Sequence, residues 1–185
     1  MNINKAEFTF SHENLTKAEK ILGKYPVEKR FSAIMPLLTL AQKQNGGFLN
    51  KACIDYLADY LNVTPMAFYE VASFYSMYTF QPVGKYHFQF CKSVVCMVQH
   101  SEDLYNYCKK ITKTEHNNVS ADGLFSVAYV ECLGACVNAV AIKINDEFYE
   151  NINQKILLQL VESLKKGEPL NKINVVQKSA IFNKG

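Results

Sequence analysis

No stretch of this sequence is apolar for long enough to cross a bilayer. The longest nearly uninterrupted run, Ala33 to Ala41, is broken by a proline and a threonine and spans less than half of the roughly 20 residues that a membrane-crossing helix requires. No membrane insertion is expected. Strong charge is missing too: the formal net charge is +3, and the lysines are too dispersed to make the basic stripe that nucleic acid binding needs. The first residues, Met-Asn-Ile-Asn-Lys with Glu7 and Glu13 close behind, lack the apolar core of a secretory signal and the arginine-rich, acid-poor composition of a transit peptide. Export is therefore not expected, and the six cysteines belong in a reducing compartment. There disulfides are rare, and spaced cysteine pairs point to metal or redox chemistry. The sequence also lacks a G-x-G-x-x-G fingerprint, a P-loop, a G-x-S-x-G elbow and an H-E-x-x-H pair. The chain is thus not expected to bind NADH or flavin by itself, and the chemistry left to it is one-electron transfer between other groups.

What is present divides into two halves. With 185 residues, 49% of them hydrophobic, one to two domains are within reach. From Ser11 to about Phe80 apolar residues recur at helical spacing. Between Val27 and Lys43, Ile34, Leu37, Leu38 and Ala41 share one helix face, and Asn45-Gly46-Gly47 ends it. A second helix starts near the N-cap Asn50 with Ile54, Leu57, Ala58 and Leu61 on one side. A third starts at Thr64-Pro65, where Thr64 can cap and Val63 can pack on Phe68. The aromatic stretch Phe74 to Phe80 reads first as core packing, with a partner surface as the alternative. After Pro82 and Gly84 the period changes: Tyr86, Phe88 and Phe90 alternate with polar residues as a strand does. A helix capped by Ser101, a strand from about Leu124 to Glu131, two short strands flanking Asn145-Asp146 and a helix from Gln154 to Gly167 follow. The fold class expected is α+β, an N-terminal helical bundle (residues 1–80) followed by a thioredoxin-like α/β domain (81–167) and a C-terminal tail (168–185).

The cysteines carry the chemistry. Cys91 and Cys96 form a C-x4-C pair at the end of the first strand, and Cys132 and Cys136 a C-x3-C pair at the end of the second. A strand, a crossover helix and a second strand in one sheet run parallel, so both loops leave the carboxyl edge, where open α/β sheets place ligands. Four converging thiolates suit tetrahedral zinc or an iron–sulfur cluster. The longer x4 loop favours a cluster, in which each pair grips its own iron, over zinc and over disulfides. Gly134 allows close backbone approach or positive φ. Cys53 and Cys108 fall on predicted helices and read as small buried hydrophobes. His12, His87, His100 and His116 form no ligand-spaced pair, which leaves a Rieske-type centre unsupported.

Several segments together resemble the E subunit of NADH-quinone oxidoreductase, respiratory complex I: Tyr69 to Met77, Pro82-Val83-Gly84-Lys85, the C-x4-C pair and Glu131-Cys132-Leu133-Gly134-Ala135-Cys136. Ser32 to Leu38, Gln44 to Gly47, Asn145-Asp146 and Tyr149-Glu150 are similar to the same family, over roughly residues 8 to 167; Val140 departs from it, standing where proline is usual. The resemblance implies one [2Fe-2S] cluster held by Cys91, Cys96, Cys132 and Cys136, exchanging single electrons with the FMN of a partner flavoprotein subunit that oxidises NADH. It also implies contact with other peripheral-arm subunits, on the cytoplasmic side of a bacterial inner membrane. The equivalent subunit of a soluble NAD-linked hydrogenase or formate dehydrogenase, and a structural zinc module, are the alternatives.

Overall fold

Helix starts and stops in the first half follow local chemistry. Ser11 caps α1 (His12–Leu22) by accepting the Asn14 amide, and Asn50 caps α3 (Lys51–Leu61) by accepting the Cys53 amide at 2.9 Å. Between them, α2 spans Ile34–Gln44. The regular helix does not run back to Val27: residues Val27–Ala33 form a 3₁₀ stretch broken at Lys29. Pro36 explains the boundary, because proline is tolerated in the first turn of a helix but would lose a hydrogen bond and clash further in. Helix α4 (Pro65–Phe74) begins with Pro65 behind Thr64, whose side chain makes no capping bond. Residues from all four helices, among them Ala18, Leu37, Leu38, Ile54, Leu57 and Phe68, form one apolar core, each large side chain contributing roughly 1.5–3 kcal/mol of burial.

The aromatic run departs from the core reading. Tyr78 is buried and donates its hydroxyl to the Met35 carbonyl, but Phe74 is 80% exposed, and Tyr75, Met77 and Phe80 are also open to solvent. Phe74 is still in α4, but two positions past the buried Ala72 it falls on the opposite face, about 200° around the helix; Tyr75 then turns extended, so the residues after it no longer follow the buried face.

A computed structural model describes residues 8–168, and the chain divides between Pro82 and Val83 into two units. Apart from Glu168, the tail expected at 168–185 lies outside the described residues. In the second unit, β1 (Tyr86–Cys91) and β2 (Phe125–Val130) pair in parallel, from Tyr86 opposite Phe125 to Cys91 opposite Val130. The strands β3 (Ile142–Ile144) and β4 (Glu147–Tyr149) add antiparallel on the other side of β1, giving the order β2-β1-β3-β4. A short α5 (Val94–Val98), the crossover helix α6 (Ser101–Thr112) and the final α7 (Gln154–Lys165) complete the unit. Phe88, Phe90, Phe125, Ile142 and Tyr149 are fully buried in its core.

The start of β1 is fixed by close polar contacts. A Cβ on Gly84 would stand 2.5 Å from the Phe125 carbonyl carbon, so only glycine lets the two backbones approach this closely. The Gly84 amide donates to Ser126 Oγ at 2.9 Å, and the Ser126 hydroxyl meets His87 Nδ1 at 2.8 Å. Asn145, at positive φ in the β3–β4 turn, accepts the His87 amide and donates to the Lys85 carbonyl. Burial, and after it the nearby Lys143 cation, lowers the His87 pKa to about 4, so at neutral pH the ring is uncharged.

Candidate metal centre

Parallel pairing carries both cysteine pairs to one edge. Cys91 is the last residue of β1, and β2 ends two residues before Cys132. The strands stay joined past their ends: the Lys92 amide donates to the Val130 carbonyl at 3.0 Å. At the surface Lys92 and Glu131 form an ion pair at 3.3 Å, an exposed contact of small energetic weight. On the other side the Cys91 amide donates to the Ala141 carbonyl.

The first pair is sunk and the second is at the surface. Cys91 and Cys96 are buried, whereas Cys132 and Cys136 are exposed. Cys96 reaches its place because the chain between the two cysteines coils into α5, a turn the sequence pattern did not reveal. Ser101 does not cap α6; the position before it is His100 in a left-handed conformation. The Ser101 hydroxyl instead donates to the Cys91 carbonyl at 2.6 Å in a buried setting, tying the crossover helix to the first sulfur pair. In the second loop Gly134 takes φ 78° and its amide donates to Cys132 Sγ at 3.4 Å. A non-glycine residue would be strained there.

The donor set is chemically suited to a thiophilic metal. Cys132 Sγ and Cys136 Sγ lie 3.7 Å apart, close to the edge of about 3.8 Å that metal–sulfur bonds of about 2.3 Å subtend at a tetrahedral metal. Cys96 is within hydrogen-bonding reach of Cys91, and its thiol is pushed up to about 11, first by burial and further by Cys91 and Cys136, against the Ala141 amide. The Cys136 thiol is raised by its hydrogen bond to and repulsion from Cys132. A cation bound here would offset the repulsion that raises Cys96 and Cys136. Cys136 also interacts across the site with Cys91 and Cys96.

The remaining cysteines lie elsewhere. Cys53 is fully buried in the helical unit and Cys108 in the core under α6, with both thiols raised by burial. His87 bonds Ser126, His100 bonds Asp103, and His116 bonds the Tyr105 hydroxyl. Sequence reasoning missed Asn138, whose side-chain amide donates to Glu150 at 2.7 Å behind the second loop; nothing in the spacing signals that contact. The Ala139–Val140 peptide, where the resemblance places a proline, is cis. No helix among the described residues is long and apolar enough to cross a membrane.

Residues 18–165 match the family model described as thioredoxin-like [2Fe-2S] ferredoxin. Over 164 residues the chain is 44% identical to the NADH-quinone oxidoreductase E subunit of Rickettsia typhi, covering 88% of this chain and 96% of that protein. It is 40% identical over 168 residues to the mitochondrial NADH dehydrogenase [ubiquinone] flavoprotein 2 of Dictyostelium discoideum, covering 91% of this chain and 68% of the other. Among solved structures, an NAD+-reducing [NiFe]-hydrogenase in the air-oxidised state shares the fold at a TM-score of 0.60 and 22% identity, over 74% of this chain and 24% of that one. The chain belongs to the thioredoxin-like [2Fe-2S] ferredoxin family, and that membership implies a [2Fe-2S] cluster as its cofactor.

Proposed function

We propose that Cys91, Cys96, Cys132 and Cys136 hold one [2Fe-2S] cluster, and that the chain is an electron-transfer subunit of NADH-quinone oxidoreductase on the cytoplasmic side of the membrane. When bound, the cluster supplies one-electron exchange with the FMN of a partner flavoprotein subunit that oxidises NADH. One observation carries the reading: parallel β1 and β2 bring two sulfur pairs to the same sheet edge, with the Cys132 and Cys136 sulfurs at the spacing of a tetrahedral metal. The C-x4-C and C-x3-C spacings suit a cluster in which each pair grips its own iron better than a single zinc. Homology to the E subunit of that complex along most of the chain supports the same assembly.

The chain's own residues divide the work. Cys91 and Cys96 lie under protein, which keeps water from half of the site, while Cys132 and Cys136 face outward toward an electron partner. Val94, Met97 and Val98 on α5 around Cys96, and Val137 next to Cys136, are 55–92% exposed, apolar surface suited to excluding water from a docked protein. The ligand-free helical unit adds Met66 and Phe74, also exposed, as further contact surface for the flavoprotein and neighbouring peripheral-arm subunits.

Protein made with intact iron–sulfur assembly is expected to be reddish brown, with iron and acid-labile sulfide at about two each per chain, and an EPR signal that appears only on reduction. Stoichiometric zinc without iron in protein from its native host would sink the reading.

A further inference from the structure

Cys136 lies in a short 3₁₀ turn, Cys136–Asn138, that has almost no packing of its own: Val137 is 92% exposed and Cys136 is exposed as well. What holds the turn is hydrogen bonding through Asn138. Its amide donates to the Ala135 carbonyl at 3.2 Å, closing the turn, and its carbonyl accepts the Asn151 amide at 2.8 Å. One step on, the Ile152 amide donates to the Val140 carbonyl. The side chain of Asn138 makes the remaining bond, to Glu150 Oε2 at 2.7 Å.

Glu150 is costly where it stands. It is 4% exposed, and its second oxygen, Oε1, is buried without a hydrogen-bond partner. A carboxyl group placed in protein with half of its bonding capacity unmet is destabilising on its own account, so packing does not explain it. Among the described residues, its one side-chain bond goes to the residue that anchors the Cys136 turn.

We propose that Glu150 is a positioning residue for the metal centre, acting through Asn138 to fix Cys136 at its separation from Cys132. This rests on the reading of Cys136 as a ligand. Outer partners of metal ligands do this elsewhere by restricting the ligand's orientation, and losing one costs about 10- to 100-fold in metal retention.

The test uses the full chain carrying its cluster and follows iron loss to excess bathophenanthroline well below the thermal midpoint, together with the EPR spectrum of the reduced protein. Glu150→Ala and Asn138→Ala are each expected to speed iron loss about 10-fold or more and to change the EPR line shape. The double variant should be no worse than either single one, and Glu150→Gln, whose amide oxygen still accepts from Asn138, should stay within about twofold of the parent. Parental rates and spectra in both alanine variants overturn the proposal. So does equal acceleration in Glu150→Gln accompanied by a lowered thermal midpoint, since that marks a role in overall stability alone. If Glu150→Ala fails to fold, Asn138→Ala, which leaves the carboxylate in place, decides the matter by the same readings. Cys136→Ala separates the two levels: retention of the cluster there overturns the ligand assignment itself, whereas loss there with unchanged Glu150 and Asn138 variants overturns only the positioning role.

Discussion

Acidification below about pH 6.5 should weaken the ferredoxin unit through a single histidine. His87 has an ordinary pKa of 6.5, which burial and Lys143 lower to about 4 in the fold. The unfolded chain therefore binds the proton more readily than the folded one between these values. His87 contributes its full stabilisation above about pH 6.5, loses it as pH falls toward 4, and changes nothing further below that. Each tenfold difference in proton affinity is worth about 1.4 kcal/mol, so the whole effect is about 3 kcal/mol, of which about 2 kcal/mol falls between pH 7.5 and 5. The assay is urea denaturation across that window for the parent and for His87→Gln, compared at each pH so that every other titrating group, and any cluster contribution, cancels. The gap between the two proteins should shrink by about 2 kcal/mol on acidification. A gap constant within about 0.5 kcal/mol would refute the argument that the ring is held neutral by burial.

Three further outcomes are expected. Alanine in place of Cys91, Cys96, Cys132 or Cys136 should remove most of the iron and sulfide, while Cys53→Ala and Cys108→Ala keep it; iron lost from the Cys108 variant but kept in the Cys132 variant would reverse the ligand assignment. Gly84→Ala forces a methyl group into the Phe125 backbone and should cost about 1–3 kcal/mol by thermal or chemical denaturation, and an unchanged midpoint would show that the two backbones separate freely. A fragment from residue 81 to 167 should assemble the cluster yet bind the NADH-oxidising subunit more weakly than the full chain in pull-down, and the full chain alone should not oxidise NADH. Equal binding by the fragment would assign the contact to the ferredoxin unit.

Much of this fold was readable because its signals are local. The change from helical to alternating spacing after Gly84 marked β1, and a helix between two strands required β1 and β2 to run parallel, which placed both cysteine pairs at one edge. Asn50 was recognisable as a cap because its side chain acts three residues away. Other features depend on contacts that spacing does not encode. Val94-Val95-Cys96-Met97-Val98 has neither a polar face nor alternation, yet it forms a helix whose valines remain outside. Ser101 looked like a cap and bonds a carbonyl ten positions earlier. Phe74 to Phe80 has core composition, but Phe74 falls on the outer face of α4 and the chain turns extended at Tyr75, so of its aromatic rings Tyr78 alone is buried. Glu150 and Asn138 meet because β3 and β4 fold back, a pairing visible only in three dimensions.

The parallel pairing of β1 with β2 also bears on when the metal can enter during synthesis. Parallel neighbours cannot be joined by a tight turn, so the two halves of the proposed site are separated by the whole crossover. A ribosome adding about 5–20 residues per second needs about 2–8 s to pass from the first cysteine pair to the second. During that interval Cys91 and Cys96 have been made while the pair opposite them has not. If the four cysteines are the ligands, the complete donor set exists only once β2 and the loop after it have been made.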